Sequence, residues 1–198
     1  MEIQNMCKMG LGTIAFFYFD FRDHDKQGIH SLLSSILIQF CDQSDKYSES
    51  LSTLFTSHGR GSRQPSEDAL LECLKNMLKL PGQGSLYLII DALDECPNSS
   101  GCPTPRELVL AVVQELVGLQ LSHVRFCVTS RPEVDIRDVL GPGRLGIYDV
   151  PLHEQAGQNQ DIVDYISHFI RSDPRARQWR AEDKQLVIET LSQNAGGM

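Results

Sequence analysis

Two short stretches of this chain carry residues that could do chemistry together. "LYLIIDALDEC" (86–96) ends an apolar run on Asp91 and then places Asp94 and Glu95 three and four residues later. A carboxylate at a strand end can hold Mg²⁺, usually through water, and an acid a few residues on can orient or deprotonate an attacking water. The spacing is consistent with separate roles for Asp91 and Glu95. The bland alternative is a buried strand that simply surfaces there with an acidic exit loop. The second stretch, "VRFCVTSRP" (124–132), ends in Thr129, Ser130 and Arg131. A guanidinium so placed suits a phosphate through bidentate hydrogen bonds; its competitor is a surface arginine before a turn proline.

Both stretches need elements to position them, and the pattern alternates strands with helices. "IAFFYFDF" (14–21) is aromatic and β-rich, which predicts a strand. Ile29, Leu32, Leu33, Ile36, Leu37 and Phe40 recur at helical spacing over about 28–42. A weaker helix carries Tyr47, Leu51, Leu54 and Phe55, and "SHGRGSRQPS" (57–66) reads as a surface loop. Leu70, Leu71, Leu74, Met77 and Leu78 mark a helix over about 66–79, stopped by "LPGQG". A strand at 86–90 follows. "TPRE" (104–107) then sets Thr104 as N-cap, Pro105 at the first helical position and Glu107 to close a capping box, opening a helix over about 105–120. Strands are expected at 124–130 and 146–152. Asn159 can cap a helix bearing Ile162, Tyr165, Ile166 and Phe169, and Leu186, Val187 and Leu191 mark a last helix ending at Gly196. Strands apolar on both faces and separated by helices predict a parallel sheet covered on both sides. In doubly wound sheets of that kind ligands sit beyond the carboxyl ends of the strands, where Asp91 and Arg131 fall.

Composition narrows the classes. The 198 residues are 41% hydrophobic and 22% charged, a soluble, globular balance with room for one cored domain and part of a second. A net charge of −8 gives no electrostatic footprint for nucleic acid or an anionic membrane. There is no signal-peptide pattern, and no apolar run approaches the ~20 residues that span a bilayer, so a cytoplasmic, non-membrane protein is expected. Cys41, Cys73 and Cys127 lie in apolar stretches, where a free thiol acts as a small hydrophobe. Cys96 and Cys102 flank "PNSSG" too widely for paired zinc ligands, and no downstream pair completes a site.

Taken in order, these motifs resemble a known family. "LYLIIDALDEC" resembles the Walker B segment, and "VRFCVTSRP" the sensor 1 strand, of the NACHT domain, a STAND-class P-loop NTPase of NOD-like signalling proteins. "FFYFDFRDHDKQ" (16–27), "LHEQAGQNQDIVDYI" (152–166) and the terminal "NAGGM" resemble the fungal, nephrocystin-like members. The resemblance implies a three-layer P-loop NTPase-like parallel sheet followed by the start of a helical domain. It divides the chain into a partial NACHT nucleotide-binding core (1–152) and a helical subdomain (153–198). It implies Asp91 as the Mg²⁺ aspartate, Asp94 and Glu95 as the acidic pair near the attacking water, and Thr129, Ser130 and Arg131 on the γ-phosphate side with Arg131 as sensor. Mg²⁺ and ATP or GTP are the implied cofactors, and protein partners or self-association through the NACHT core the implied contacts.

The sequence departs from the family in one respect. A phosphate cradle of the form G-x-x-x-x-G-K-[ST] is needed, and no Gly-Lys dipeptide occurs in these residues. "GLGTIA" (10–15) matches G-x-G-x-x-A, but it precedes a strand instead of following one, and reads as a turn. In the family the cradle and its strand come just before the segment that begins here and family members continue past "GGM", so the chain resembles a NACHT core cut at both ends, with a strand missing between 124–130 and 146–152. Losing three charge-assisted hydrogen bonds at about 1.5–3 kcal/mol each removes roughly 4–9 kcal/mol of ATP affinity. That is about three orders of magnitude or more, so tight ATP binding and hydrolysis by this chain alone are not expected, and exposed apolar strand edges would leave it marginally stable. The expected function is therefore part of a nucleotide-dependent NACHT switch, with a non-catalytic interaction or decoy module as the alternative.

Overall fold

The computed structural model describes residues 12–99, 101–141, 148–150 and 156–194. The chain separates into two compact units, Met1–Ile147 and Tyr148–Met198.

The first unit is α/β. Strand β1 (Gly12–Tyr18) is followed by helices α1 (Ile29–Gln43), α2 (Asp45–Ser57) and α3 (Glu67–Leu78). Strand β2 (Ser85–Asp91), helix α4 (Pro105–Gly118), strand β3 (Val124–Val128) and helix α5 (Val134–Leu140) complete it. The starts are written in the sequence: Ser66 accepts from the Ala69 amide to open α3, and Thr104 with Glu107 forms a full capping box on α4, with Pro105 behind it.

The strands form a parallel sheet in the order β1-β2-β3, with Ala15 opposite Leu88, Phe17 opposite Ile90, and Leu88 opposite Phe126. Ala15, Phe17, Leu86, Leu88, Ile90 and Val124 share one buried core with the apolar faces of α1, α3 and α4. The expected cover on both sides is corrected here: on the opposite face Phe16 and Tyr18 are 50% and 47% exposed, and Cys127 is exposed as well. Topology explains it. The order runs in one direction without reversal, so right-handed crossovers put both connecting helical segments on the same side. Among the described residues the sheet is therefore two layers, not three.

The outer edge of β1 is closed by side chains. Gln39 accepts from the Phe16 amide at 3.1 Å and donates to the Phe16 carbonyl at 2.7 Å. Gln43 does the same at Ile14, at 3.1 and 2.6 Å. Four residues along a helix rise about 6 Å and two along a strand about 6.6 Å, so the two amides fall in step with alternate strand residues.

Other expectations shift at the margins. The strand expected over 14–21 stops at Tyr18, and the 3-10 turn His24–Lys26 follows. Of the strand expected at 146–152, only 148–150 are described and carry no strand; the rest, like Gly196 and residues 1–11, lies outside the described residues. The second unit holds α6 (Ala156–Ser172), a 3-10 turn at Pro174–Gln178 and α7 (Ala181–Asn194). Asn159 lies inside α6 and does not cap it, because the helix begins at Ala156. No described helix is long and apolar enough to cross a membrane.

Candidate functional site

Asp91 is the last residue of β2, and Thr129 follows the end of β3 beside it. The Thr129 hydroxyl donates to Asp91 Oδ1 and accepts from the Ala92 amide at 3.0 Å. Main-chain bonds tighten the join: Thr129 N–H donates to the Ile90 carbonyl at 2.9 Å, and Leu93 N–H to the Thr129 carbonyl at 3.0 Å. Ala92 sits in the left-handed region with φ 53° and ψ 47°. That conformation costs a residue with a Cβ roughly 1–2 kcal/mol, and it turns the chain into a 3-10 turn at Leu93–Glu95. Leu93 is fully buried and pins the turn to the core.

The two acids of the turn point to different neighbours. The Asp94 side chain, 12% exposed, accepts from the Arg131 amide at 3.0 Å and lies 3.5 Å from Arg131 Nε. The Arg131 side chain is 70% exposed. Glu95 Oε2 accepts from the Phe21 amide at 3.2 Å, tying the turn to the exit of β1. Ser130 is exposed between Thr129 and Arg131.

Behind the turn is a residue that sequence reading passed over. Arg106, in the first turn of α4, is buried. Its Nε donates to the Cys96 carbonyl at 2.9 Å, Nη2 to the Asp94 carbonyl at 2.5 Å, and Nη1 lies 3.3 Å from Asp135 Oδ2 on α5. An arginine in the polar first turn of a capping box carries no one-dimensional mark of burial. Its only signal is its place two residues past Thr104, on the helix that follows the acids.

Four of the six predicted residues line two shallow hollows, and Thr129 and Ser130 line neither. Asp94, Glu95 and Arg131, with Phe21, Gln27 and Arg106, line one of about 360 Å³. Asp91 lines another of about 350 Å³ on the bare sheet face, with Phe16, Tyr18 and Ile89. Both are at the small end for ligand sites. The order of the described strands does not reverse, so they contain no switch-point crevice of the kind a doubly wound sheet provides. Among the described residues no group of three or more His, Cys, Asp or Glu is arranged to hold a metal. Asp91 by itself fits the single-carboxylate, water-rich mode that Mg²⁺ accepts.

Two titrating groups nearby are displaced. Hydrogen bonds from the Arg22 side chain and amide hold Asp20, at the exit of β1, down at about 2. Burial pushes the Cys96 thiol up to about 12, against the pull of Arg106. That thiol donates to the Gln27 carbonyl at 3.4 Å, and both Cys96 and Cys102 are free, without a disulfide between them.

The sequence profile of the family described as nephrocystin 3, N-terminal, matches residues 2–131. The chain belongs to that family. The match runs through Arg131, so it takes in Asp91, Asp94, Glu95, Arg106, Thr129, Ser130 and Arg131 and stops short of Asp135. No curated protein and no solved structure matches the chain.

Proposed function

We propose that the chain carries the acid-and-arginine half of a NACHT-type nucleotide site and is part of a STAND-class, nucleotide-dependent signalling switch. One observation carries the reading: Asp91 and Thr129 meet at the carboxyl ends of adjacent parallel strands, and Arg131 follows two residues later with its guanidinium in solvent. In this reading Asp91 holds Mg²⁺ through water, Asp94 and Glu95 stand near the attacking water, and Thr129, Ser130 and Arg131 face the γ-phosphate of ATP or GTP. The family match on residues 2–131 supports it.

Fluorescent-nucleotide titration with and without Mg²⁺, on the chain and on Asp91→Ala and Arg131→Ala, tests the assignment. With no Gly-Lys cradle in the sequence, the expected dissociation constant is about millimolar or weaker, Mg²⁺-dependent, and weaker again in both variants. Micromolar, Mg²⁺-dependent binding abolished by either change overturns the half-site. Binding indifferent to both changes removes Asp91 and Arg131 from the reading.

A second reading rests on the bare sheet face, where Phe16 and Tyr18 stand half-exposed. Here the chain is a non-catalytic interaction module that contacts protein partners or its own kind through the α/β core. Sedimentation of Phe16→Ser/Tyr18→Ser against the parent chain tests it: identical, purely monomeric behaviour at high concentration removes self-association.

A further inference from the structure

We propose that Arg106 is a positioning residue for Arg131, acting through Asp94. This rests on the reading of Arg131 as the group that grips an anion.

Arg106 is committed in every direction. Its three guanidinium nitrogens reach the Cys96 carbonyl, the Asp94 carbonyl and the Asp135 carboxylate, and its own amide donates to the Pro97 carbonyl at 3.1 Å. A planar, always-charged fork with a partner on each of its three nitrogens fixes the groups it touches relative to one another. What it fixes is the main chain of the acid turn: with its carbonyl held from behind, Asp94 presents its carboxylate forward to the Arg131 amide and Nε. The far side is anchored too, since Asp135 also accepts from Asn98 Nδ2 at 3.0 Å, and Asn98 Oδ1 accepts from the Thr104 hydroxyl at 2.9 Å.

The consequence lies at the tip of Arg131. Asp94 takes the amide and faces Nε, and among the described residues Nη1 and Nη2 make no hydrogen bond. Those two nitrogens are the pair that matches two oxygens of a phosphate. Arg106 never meets the anion; it keeps the one fork that does pointed outward.

Amide hydrogen exchange read by NMR tests this without any ligand. Asp94→Ala removes the acceptor and sets the ceiling, an Arg131 amide exchanging roughly tenfold faster or more, as loss of one charge-assisted bond implies. Arg106→Lys, which cannot span the three acceptors, is expected to reach that ceiling while the Val124–Val128 amides stay protected. An unchanged Arg131 amide in a folded Arg106→Lys chain overturns the proposal. Should Arg106→Lys lose the Val124–Val128 protection, Asp135→Asn loosens Arg106 without removing it, and an unchanged Arg131 amide there is equally fatal. A second arm adds Mg²⁺ and inorganic tripolyphosphate to the parent chain and follows the Arg131 side-chain signals. Faster exchange in the variants with no tripolyphosphate response keeps Arg106 as the positioner and discards the anion reading; a response that is weaker in Arg106→Lys upholds both.

Discussion

Gln39 and Gln43 make a sharp test of how the sheet ends, because each amide both donates to and accepts from one residue of β1. Replacing both by glutamate keeps length, shape and the accepting oxygens. It removes the donors to the Phe16 and Ile14 carbonyls and sets a carboxylate against each carbonyl oxygen. The bonds are solvent-exposed, so each is taken at the low end, about 0.5 kcal/mol, giving about 2 kcal/mol for the four. An alanine pair forfeits that sum but recovers about 0.7 kcal/mol of helix propensity, a net cost of roughly 1–1.5 kcal/mol. The glutamate pair keeps the two accepted bonds, loses the two donated ones at about 1 kcal/mol together, and adds repulsion against each carbonyl, so it is expected to cost about 1 kcal/mol or more at pH 7. Urea melts of the three chains measure this as shifts in midpoint at constant m.

The pH dependence separates the mechanism from generic damage. A glutamate facing a carbonyl is harder to ionise when folded, so its folded pKa lies above the unfolded value of ~4.3. Stability tied to its protonated form is then fully present below ~4.3 and lost as pH rises through the folded pKa. At pH near 4 the neutral carboxyl donates to the carbonyl again, and the glutamate pair should approach the parent chain. A glutamate pair as stable as the parent at pH 7, or a deficit unchanged at pH 4, refutes the strand-mimic account.

Other outcomes follow from the same geometry. Under native conditions at pH 8 the exposed Cys102 and Cys127 should react with a thiol reagent well before Cys73 and Cys96, whose thiols burial raises to about 11 and about 12; mass spectrometry of the labelled sites checks the order. Asp20 should stay ionised down to about 2, and Arg22→Gln should return it toward 3.8, as a carboxyl carbon titration by NMR would show. Its sign is that of a depressed acid: whatever it adds to stability is present above ~3.9 and fades as pH falls through the folded value. Thr104→Ala should cost about 0.5–2 kcal/mol by thermal melt, since it opens the capping box that starts α4.

Much of this was legible in one dimension, for identifiable reasons. The helical spacing of Ile29 through Phe40 and of Leu70 through Leu78 announced α1 and α3, because a one-sided core imprints its period on a helix. The capping box at Thr104 was readable because it is made of neighbours in sequence. Cover on the second face is not legible, since Tyr87 and Ile89 look as apolar as Leu88 and Ile90, and only the unreversed strand order leaves that face without a helix layer among the described residues. Cys127 was misjudged for the same reason and is exposed on that face. Helix α5 has seven residues, too few for a period to show. The acids and Arg131 were found from position at strand ends; Arg106 was not, because its three partners are 10, 12 and 29 residues away.

The three-residue turn after β2 is also a knot. Phe19 and Phe21 beyond β1 bind it through the Asp91 carbonyl and the Glu95 carboxylate, and Thr129 and Arg131 beyond β3 bind it through Leu93 and Asp94. The carboxyl ends of all three strands are thus tied at one point, while their amino ends share no such tie among the described residues. Mechanically, the knot laces the sheet at its carboxyl end. A chain pulled by its ends loads β3 at the knot itself, so Asp94→Ala, which removes the bond from the Arg131 amide, should lower the force at which β3 comes away.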